Sequence, residues 1–181
     1  MGSELSKYLK EDTNAWWVDR MYLQDAWGAA RHSTSPRTQV GAVLVVSGTG
    51  VVMKSWNRIP DRLVSSGYPK GGDYQPCGEH AERSVMFRML QNGIPVRGTT
   101  MYTTWASCAD CARAIIHFGI ERVVTLRRVV EATPERWRVS IGQGLEMMHD
   151  CGIRVVGWSG NLGVNTYIRF DSKLLENKDL I

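Results

Sequence analysis

RVVTLRRVVEATPERWRVSIGQGLEMMHDCGIRVVGWS, running from Arg122 to Ser159, is the stretch whose reading decides the fold. It opens and closes on β-branched runs, RVVTLRRVV and GIRVVGWS, which read as strands. Residues 134–150 between them carry a helical pattern. A strand, a crossover helix and a strand predict a parallel pair with a right-handed connection, because a twisted strand feeding a right-handed helix packs back onto its sheet only that way.

Upstream, TTMYTTW (99–105) reads as a further strand and SCADCARAIIHFG (107–119) as a helix. That helix opens on a capping-box-like Ser107-x-x-Asp110 and stops at Gly119. A second helix is expected from Glu79 to about Asn92, with Val85, Met86, Met89 and Leu90 on its apolar side and NGIP as its stop. QVGAVLVVSG and GVVMKSW, separated by the turn residues Ser47 to Gly50, read as a hairpin. Ala15 to Arg31 repeats apolar residues at helical spacing through Trp17, Met21, Leu23 and Trp27. DRLVSSGYPKGGDYQP is a polar loop bearing Gly and Pro, and the closing NTYIRFDSKLLENKDLI is expected to add a short strand or helix. The sum predicts an α/β fold, a three-layer α/β/α sandwich around a five-stranded mixed sheet with its last two strands parallel, as a single domain over residues 1–181.

At 181 residues, 43% hydrophobic and 22% charged, the chain has ordinary globular composition. It contains no apolar run approaching the roughly 18 residues of a membrane span. MGSELSKYLKEDTN lacks the apolar segment of a signal peptide, so no membrane association and a cytoplasmic location are expected. In a reducing compartment, four cysteines in a chain this long point to metal or redox chemistry rather than a disulfide framework. The net charge of +4 permits an anionic partner, but the basic residues are scattered. A phosphate-bearing small molecule satisfies that charge as well as a nucleic acid does.

PCGEHAE (76–82) and CADC (108–111) concentrate the chemistry. Cys108 and Cys111, one turn apart at a helix start, can point two sulfurs at one centre, and the helix dipole there favours the thiolate form. His80 supplies the third ligand, imidazole being the commonest nitrogen donor. His80 and Glu82 face nearly opposite directions within a regular helix, so both serve one site only where the chain is just entering the helix; Pro76 and Gly78 suit such an entry. A His/Cys/Cys metal beside a free glutamate is an arrangement for activating water. H-x-E followed by C-x-x-C is also the signature of zinc nucleobase deaminases. Cys77 keeps another reading open: a fourth protein ligand, its sulfur, would close the site and leave a structural Cys₃His zinc module.

HAE, then twenty-five residues, then CADC resembles the cytidine/deoxycytidylate deaminase superfamily. Within it the likeness is greatest to the deoxycytidylate (dCMP) deaminases, many of them phage-encoded, and covers roughly residues 20–160. STSPRTQVGAVLV resembles that family's Arg-x-x-Val-Gly-Ala-Val strand entry, WNRIP its Tyr-Asn-Gly-x-Pro segment, and MYTTWASCADCARAII its strand into the cysteine helix. The resemblance implies hydrolytic loss of ammonia from a cytosine nucleotide, dCMP or a modified dCMP going to dUMP. Zinc on His80, Cys108 and Cys111 would activate the water that attacks C4, with Glu82 moving the protons. It further implies Asn57 at the sugar, a carbonyl about Thr104, Trp105 and Ala106 at the base amino group, Ala81 among the substrate contacts, and Arg37 and Arg58 as candidates for the phosphate. Family habit implies a homo-oligomer.

The chain departs from the pattern in places. Ser107 stands where the family has proline, and Arg58 where the dCMP branch has glycine, giving WNR as in tRNA adenosine deaminases. Those enzymes also carry a glutamate where this chain has Ala106, and Pro60 fits the dCMP spacing. A base deaminase acting on a polynucleotide is therefore the alternative enzyme reading. The tryptophans, Trp137 included, are read as core or interface, and Trp105 as either a wall of the base pocket or core packing.

Overall fold

The structure, a computed structural model, describes residues 4–69 and 77–180. Helix α1 (Trp16–Ala30) leads into the hairpin β1 (Gly41–Val46) and β2 (Val52–Trp56), and a short α2 (Asp61–Ser65) precedes α3 (Ala81–Gln91). Then follow β3 (Thr99–Thr103), α4 (Ala109–Phe118), β4 (Arg122–Leu126), α5 (Arg127–Glu131), α6 (Glu135–Asp150) and β5 (Arg154–Trp158). A small hairpin, β6 (Ile168–Phe170) with β7 (Lys173–Leu175), closes the order of strands. The expected loop at 61–76 therefore contains a helical turn; its stretch 70–76, with Pro76, lies outside the described residues.

The sheet order is β2-β1-β3-β4-β5, with β1 antiparallel to both β2 and β3, and β3, β4 and β5 mutually parallel. The expected parallel pair is thus present, extended by β3 through a second strand–helix–strand unit. Helix α1 runs across all five strands, while α3 lies on β1, β2 and β3, and α4 packs between α3 and α6. Helices cover both sides of the sheet, as the three-layer reading requires. Gly41 shows how close α1 comes: a Cβ there would lie 1.9 Å from the carbonyl oxygen of Ala26, so only glycine fits.

Two expectations are corrected. On α1, Trp17 and Met21 are 72% and 49% exposed, and the buried face is Asp19, Leu23, Ala26, Trp27 and Ala30. A carboxylate can sit on that face because Arg122 donates to both Asp19 oxygens, at 2.7 and 2.6 Å, and also to Asp12 at 3.0 Å. The second correction concerns RVVTLRRVV, which is a strand only as far as Leu126. Leu126 pairs with Trp158, the last residue of β5, and β3 has already ended at Thr103. With no ladder left to satisfy its backbone, the chain turns into α5 and buries Val129 and Val130. Among the described residues no helix is long and apolar enough to cross a membrane.

Candidate active site

Two helix starts converge at the carboxyl end of β3. His80 is the last extended residue before α3, at φ −72° and ψ 151°, and Cys108 occupies the same position before α4, at φ −68° and ψ 171°. Because the helix begins only at Ala81, the His80 ring and the Glu82 carboxyl serve the same hollow despite their spacing. A two-way backbone bridge fixes this entry: Arg58 N–H donates to the Glu79 carbonyl at 3.0 Å and Glu79 N–H to the Arg58 carbonyl at 2.8 Å. On α4 the expected Ser107 cap is replaced. The Ala109 N–H donates to Ser140 Oγ of α6 at 3.2 Å, the Ser107 hydroxyl is buried beside the Glu82 carboxyl, whose pKa it helps to lower, and Asp110 pairs with Arg113 at the surface. Helix α6 reaches this loop through Gly144, where a Cβ would stand 2.4 Å from the Ser107 carbonyl oxygen.

The ligand atoms of His80, Cys108 and Cys111 all lie within 4.8 Å of one another. The His80 Nδ1 is 3.5 Å from Cys108 Sγ and 3.4 Å from Cys111 Sγ. Tetrahedral zinc with the usual Zn–S and Zn–N lengths spaces its sulfur and nitrogen ligands by about 3.6 Å, so these three donors fit that ion. Cys77 is not part of the group, which among the described residues consists of these three side chains. The three donors are also electrostatically coupled to one another. Hydrogen bonding from Cys111, against the cost of burial and with help from His80, pulls the Cys108 thiol down to about 4. The same Cys108 sulfur pushes Cys111 up and, by hydrogen bonding, raises His80 to about 9. The three groups therefore hold their protons as a coupled set, protons that a bound metal would displace. Glu82, 4% exposed, is pushed above the usual carboxylate range by burial, which the His80 charge opposes.

These groups lie on a cavity of about 380 Å³. His80, Ala81, Glu82 and Cys108 line it at the metal-ligand group, Trp105 and Ala106 line it after β3, and Ser35, Arg37, Thr38, Val40 and Asn57 come from around the start of β1 and the end of β2. Arg136, Trp137 and Ile141 come from α6. Of the expected substrate contacts, Asn57, Arg37, Ala81, Trp105 and Ala106 are thus brought together. Arg58 and Thr104 are not among the lining residues. Arg58 pairs with Asp61 and lies 5.5 Å from the Trp56 ring centroid, while Thr104 Oγ1 accepts from the Gly41 N–H at 3.2 Å. Asn57 also staples the cavity wall: its Oδ1 accepts from Val40 N–H at 2.8 Å and its Nδ2 donates to the Thr38 carbonyl at 2.9 Å.

The α6 contribution was missed in the sequence, where Trp137 read as core or interface. Its ring stands edge-on to Trp105 at 5.9 Å and to His80 at 6.1 Å. Trp105, 8% exposed, donates to Thr133 Oγ1 at 3.0 Å and is backed by Phe170 of β6 at 5.0 Å. The available signal was positional: PERW opens α6, the crossover helix between β4 and β5, and sites in open α/β sheets gather beyond the carboxyl ends of parallel strands.

Comparison with known proteins adds an independent line. The sequence model of the cytidine and deoxycytidylate deaminase zinc-binding region matches residues 18–127. A probable deoxycytidylate deaminase of Drosophila melanogaster is 31% identical over 120 residues, covering 60% of this chain and 58% of that protein. The deoxycytidylate deaminase of Homo sapiens is 30% identical over 129 residues, covering 67% of this chain and 70% of that protein. Among solved structures, the dCMP deaminase of cyanophage S-TIM5 in complex with dCMP and dUMP superposes with a TM-score of 0.63 at 22% identity, covering 78% of this chain and 96% of that one.

Proposed function

Since the chain belongs to the cytidine and deoxycytidylate deaminase zinc-binding family, we propose that it hydrolyses the amino group from a cytosine nucleotide, converting dCMP to dUMP, or a base-modified dCMP to the correspondingly modified dUMP, with release of ammonia and with residues 1–181 acting as one deaminase domain. The observation that carries this reading is the three-ligand group sharing a cavity with a buried carboxylate that is not among the ligands.

His80, Cys108 and Cys111 would hold the zinc, which when bound supplies Lewis acidity that brings a water's pKa down toward about 7. Glu82 does the proton work. Its carboxylate accepts the proton that the water loses on attacking C4 and delivers it to N3. It then takes the proton of the new C4 hydroxyl and passes it to the departing amine, so that the C4–N bond breaks, ammonia leaves and a carbonyl remains. Burial suits Glu82 to the first half of this cycle, because raising a carboxyl's pKa makes its carboxylate a stronger base toward the water. Asn57 would face the sugar, and the backbone carbonyls around Trp105 and Ala106 the base amino group. Trp105 and Trp137 would wall the ring.

The closed Cys₃His module would need a third sulfur as its fourth ligand, and Cys77 stands outside the ligand group. The test is an ammonia assay on the zinc-loaded protein with cytosine and adenine nucleosides, nucleotides and oligonucleotides. Ammonia from dCMP is expected, and Glu82→Gln should lower turnover by about 10²–10⁴-fold while zinc content measured by mass spectrometry stays at that of the unaltered protein. Full turnover in that variant removes Glu82 from the mechanism, and ammonia only from oligonucleotides moves the protein to the polynucleotide branch.

A further inference from the structure

Both helix starts at the ligand group spend their N-cap residue on it. An N-cap side chain ordinarily accepts from a free N–H of the first turn, but His80 before α3 and Cys108 before α4 make no such bond. Each start is steadied from elsewhere. At α4 the Ala109 N–H goes to Ser140 Oγ. At α3 the substitute is Glu79, whose Oε1 accepts from the His80 N–H at 3.0 Å and from Arg83 Nε at 2.6 Å. A capping box would place a glutamate or glutamine at position 83, three residues after the cap, to reach back to that same N–H. Arginine stands there instead, a cation in the first turn, where the helix dipole opposes it. A guanidinium cannot accept from the N–H; it holds the carboxylate that does. The Glu79 backbone is fixed in turn by its two-way bridge with Arg58, and the two side chains are mostly covered, 20% exposed for Glu79 and 29% for Arg83.

From this geometry we propose that Glu79 and Arg83 are positioning residues for the metal: the pair fixes the backbone of His80 and so aims its imidazole at the Cys108 and Cys111 sulfurs. This rests on reading His80, Cys108 and Cys111 as the zinc ligands. His80 precedes the helix, so the α3 ladder constrains only its carbonyl, which accepts from the Ser84 N–H at 2.9 Å. The N–H side of the residue is fixed by Glu79. A hydrogen bond to a carboxylate is stronger than one between neutral groups, and the guanidinium keeps that carboxylate in one place. Without the brace His80 has more freedom before the metal arrives, and a ligand that must be ordered at the moment of binding holds its ion less tightly.

Zinc affinity tests the brace without requiring turnover. Competition with a chromogenic chelator would give the zinc dissociation constant of the unaltered chain, Glu79→Ala, Glu79→Gln, Arg83→Ala, Arg83→Lys and the double alanine variant. Arg88→Ala serves as control, since Arg88 lies further along α3 and donates to the Lys54 carbonyl. Glu79→Ala and Arg83→Ala should each weaken zinc by about 10- to 100-fold, with Arg83→Lys in between and Arg88→Ala unchanged. The double variant should be no weaker than Glu79→Ala, because Arg83 acts through that carboxylate. Cobalt(II) in place of zinc should show visible absorption bands altered in both alanine variants, since those bands report the arrangement of the ligands. Where Glu79→Ala lowers the melting temperature, Glu79→Gln carries the comparison at unchanged size and should match Arg83→Ala. Unchanged zinc affinity and cobalt spectra in Arg83→Ala and Glu79→Gln overturn the proposal, as does a double variant whose loss is the sum of the single ones. The outcomes separate from those of the ammonia assay. A chain whose zinc affinity depends on residues 79 and 83 but that releases no ammonia keeps the brace and loses the chemistry. A chain that deaminates dCMP with a zinc affinity indifferent to both residues keeps the chemistry and loses the brace.

Discussion

Cys77 and Cys111 differ by a matter of placement. Cys111 lies in the first turn of α4 within reach of His80, whereas Cys77 lies three residues before His80 and outside the ligand group. Replacing Cys77 with serine should leave zinc stoichiometry unchanged when the protein is titrated with a chromogenic chelator. Cys111→Ser should release the metal at low chelator concentration, since it removes one of the three proposed protein ligands. Loss of zinc from the Cys77 variant would put that sulfur on the metal and close the open position on which the proposed reaction depends. At this scale the sequence was most informative where chemistry is local. His80, Glu82, Cys108 and Cys111 sit in two short motifs, each anchored to a helix start. Arg136 and Trp137 carry no such mark. They belong to the cavity only because α6 packs against α4, a fact of tertiary structure with no signature in their neighbours. Arg58 fails the other way: its sequence neighbourhood suggested the cavity, but its backbone is spent on Glu79 and its side chain turns to Asp61.

Elements meet closely at two glycines, with different consequences. At Gly41 an added Cβ strikes α1, and at Gly144 it strikes the Ser107–Cys108 backbone that presents a metal ligand. Overpacking of either contact is expected to cost about 1–3 kcal/mol. Gly41→Ala should therefore lower the melting temperature while leaving zinc affinity intact. Gly144→Ala should lower both, because relief of the clash moves Cys108. Equal zinc affinities in the two variants would show that the α6 contact does not govern ligand placement. Strands and the cysteine helix were legible because β-branched runs and helix punctuation are local signals. The end of β4 was not: RRVV has strand character, and its helical turn follows from where β3 and β5 stop. The exposed Trp17 and buried Asp19 on α1 invert the simple apolar pattern for a similar reason, since a partner more than a hundred residues away makes the burial of Asp19 tolerable.

That partner, Arg122, ties β4 to α1 and to the N-terminal segment through Asp19 and Asp12. Breaking a buried pair from one side leaves an uncompensated charge, so Asp19→Asn should destabilise the whole molecule by about 3 kcal/mol, the low end of the usual range because Asp12 remains. Urea unfolding at neutral pH measures this. Asp12 gives the pH dependence. Burial pushes its carboxyl up, but Arg122 and Arg154 pull it further down, so the folded value lies below the ordinary 3.8. A folded value below the unfolded one contributes stability in full above the unfolded value, and this is lost as pH falls through the folded value. The stability gap between the unaltered chain and Asp12→Asn should thus be steady near neutrality and shrink below about pH 4. A gap that persists undiminished at pH 2 would remove Asp12 from the acid response.

Phe170 stands well past residue 127, where the match to the family's zinc-binding region ends, and so do Arg136, Trp137 and Ile141. The His80, Cys108 and Cys111 group consequently lies wholly within the matched region, while one wall of the cavity beside it is drawn from the sequence that follows. Substitutions in that later stretch can reshape the wall without altering any of the three ligand side chains.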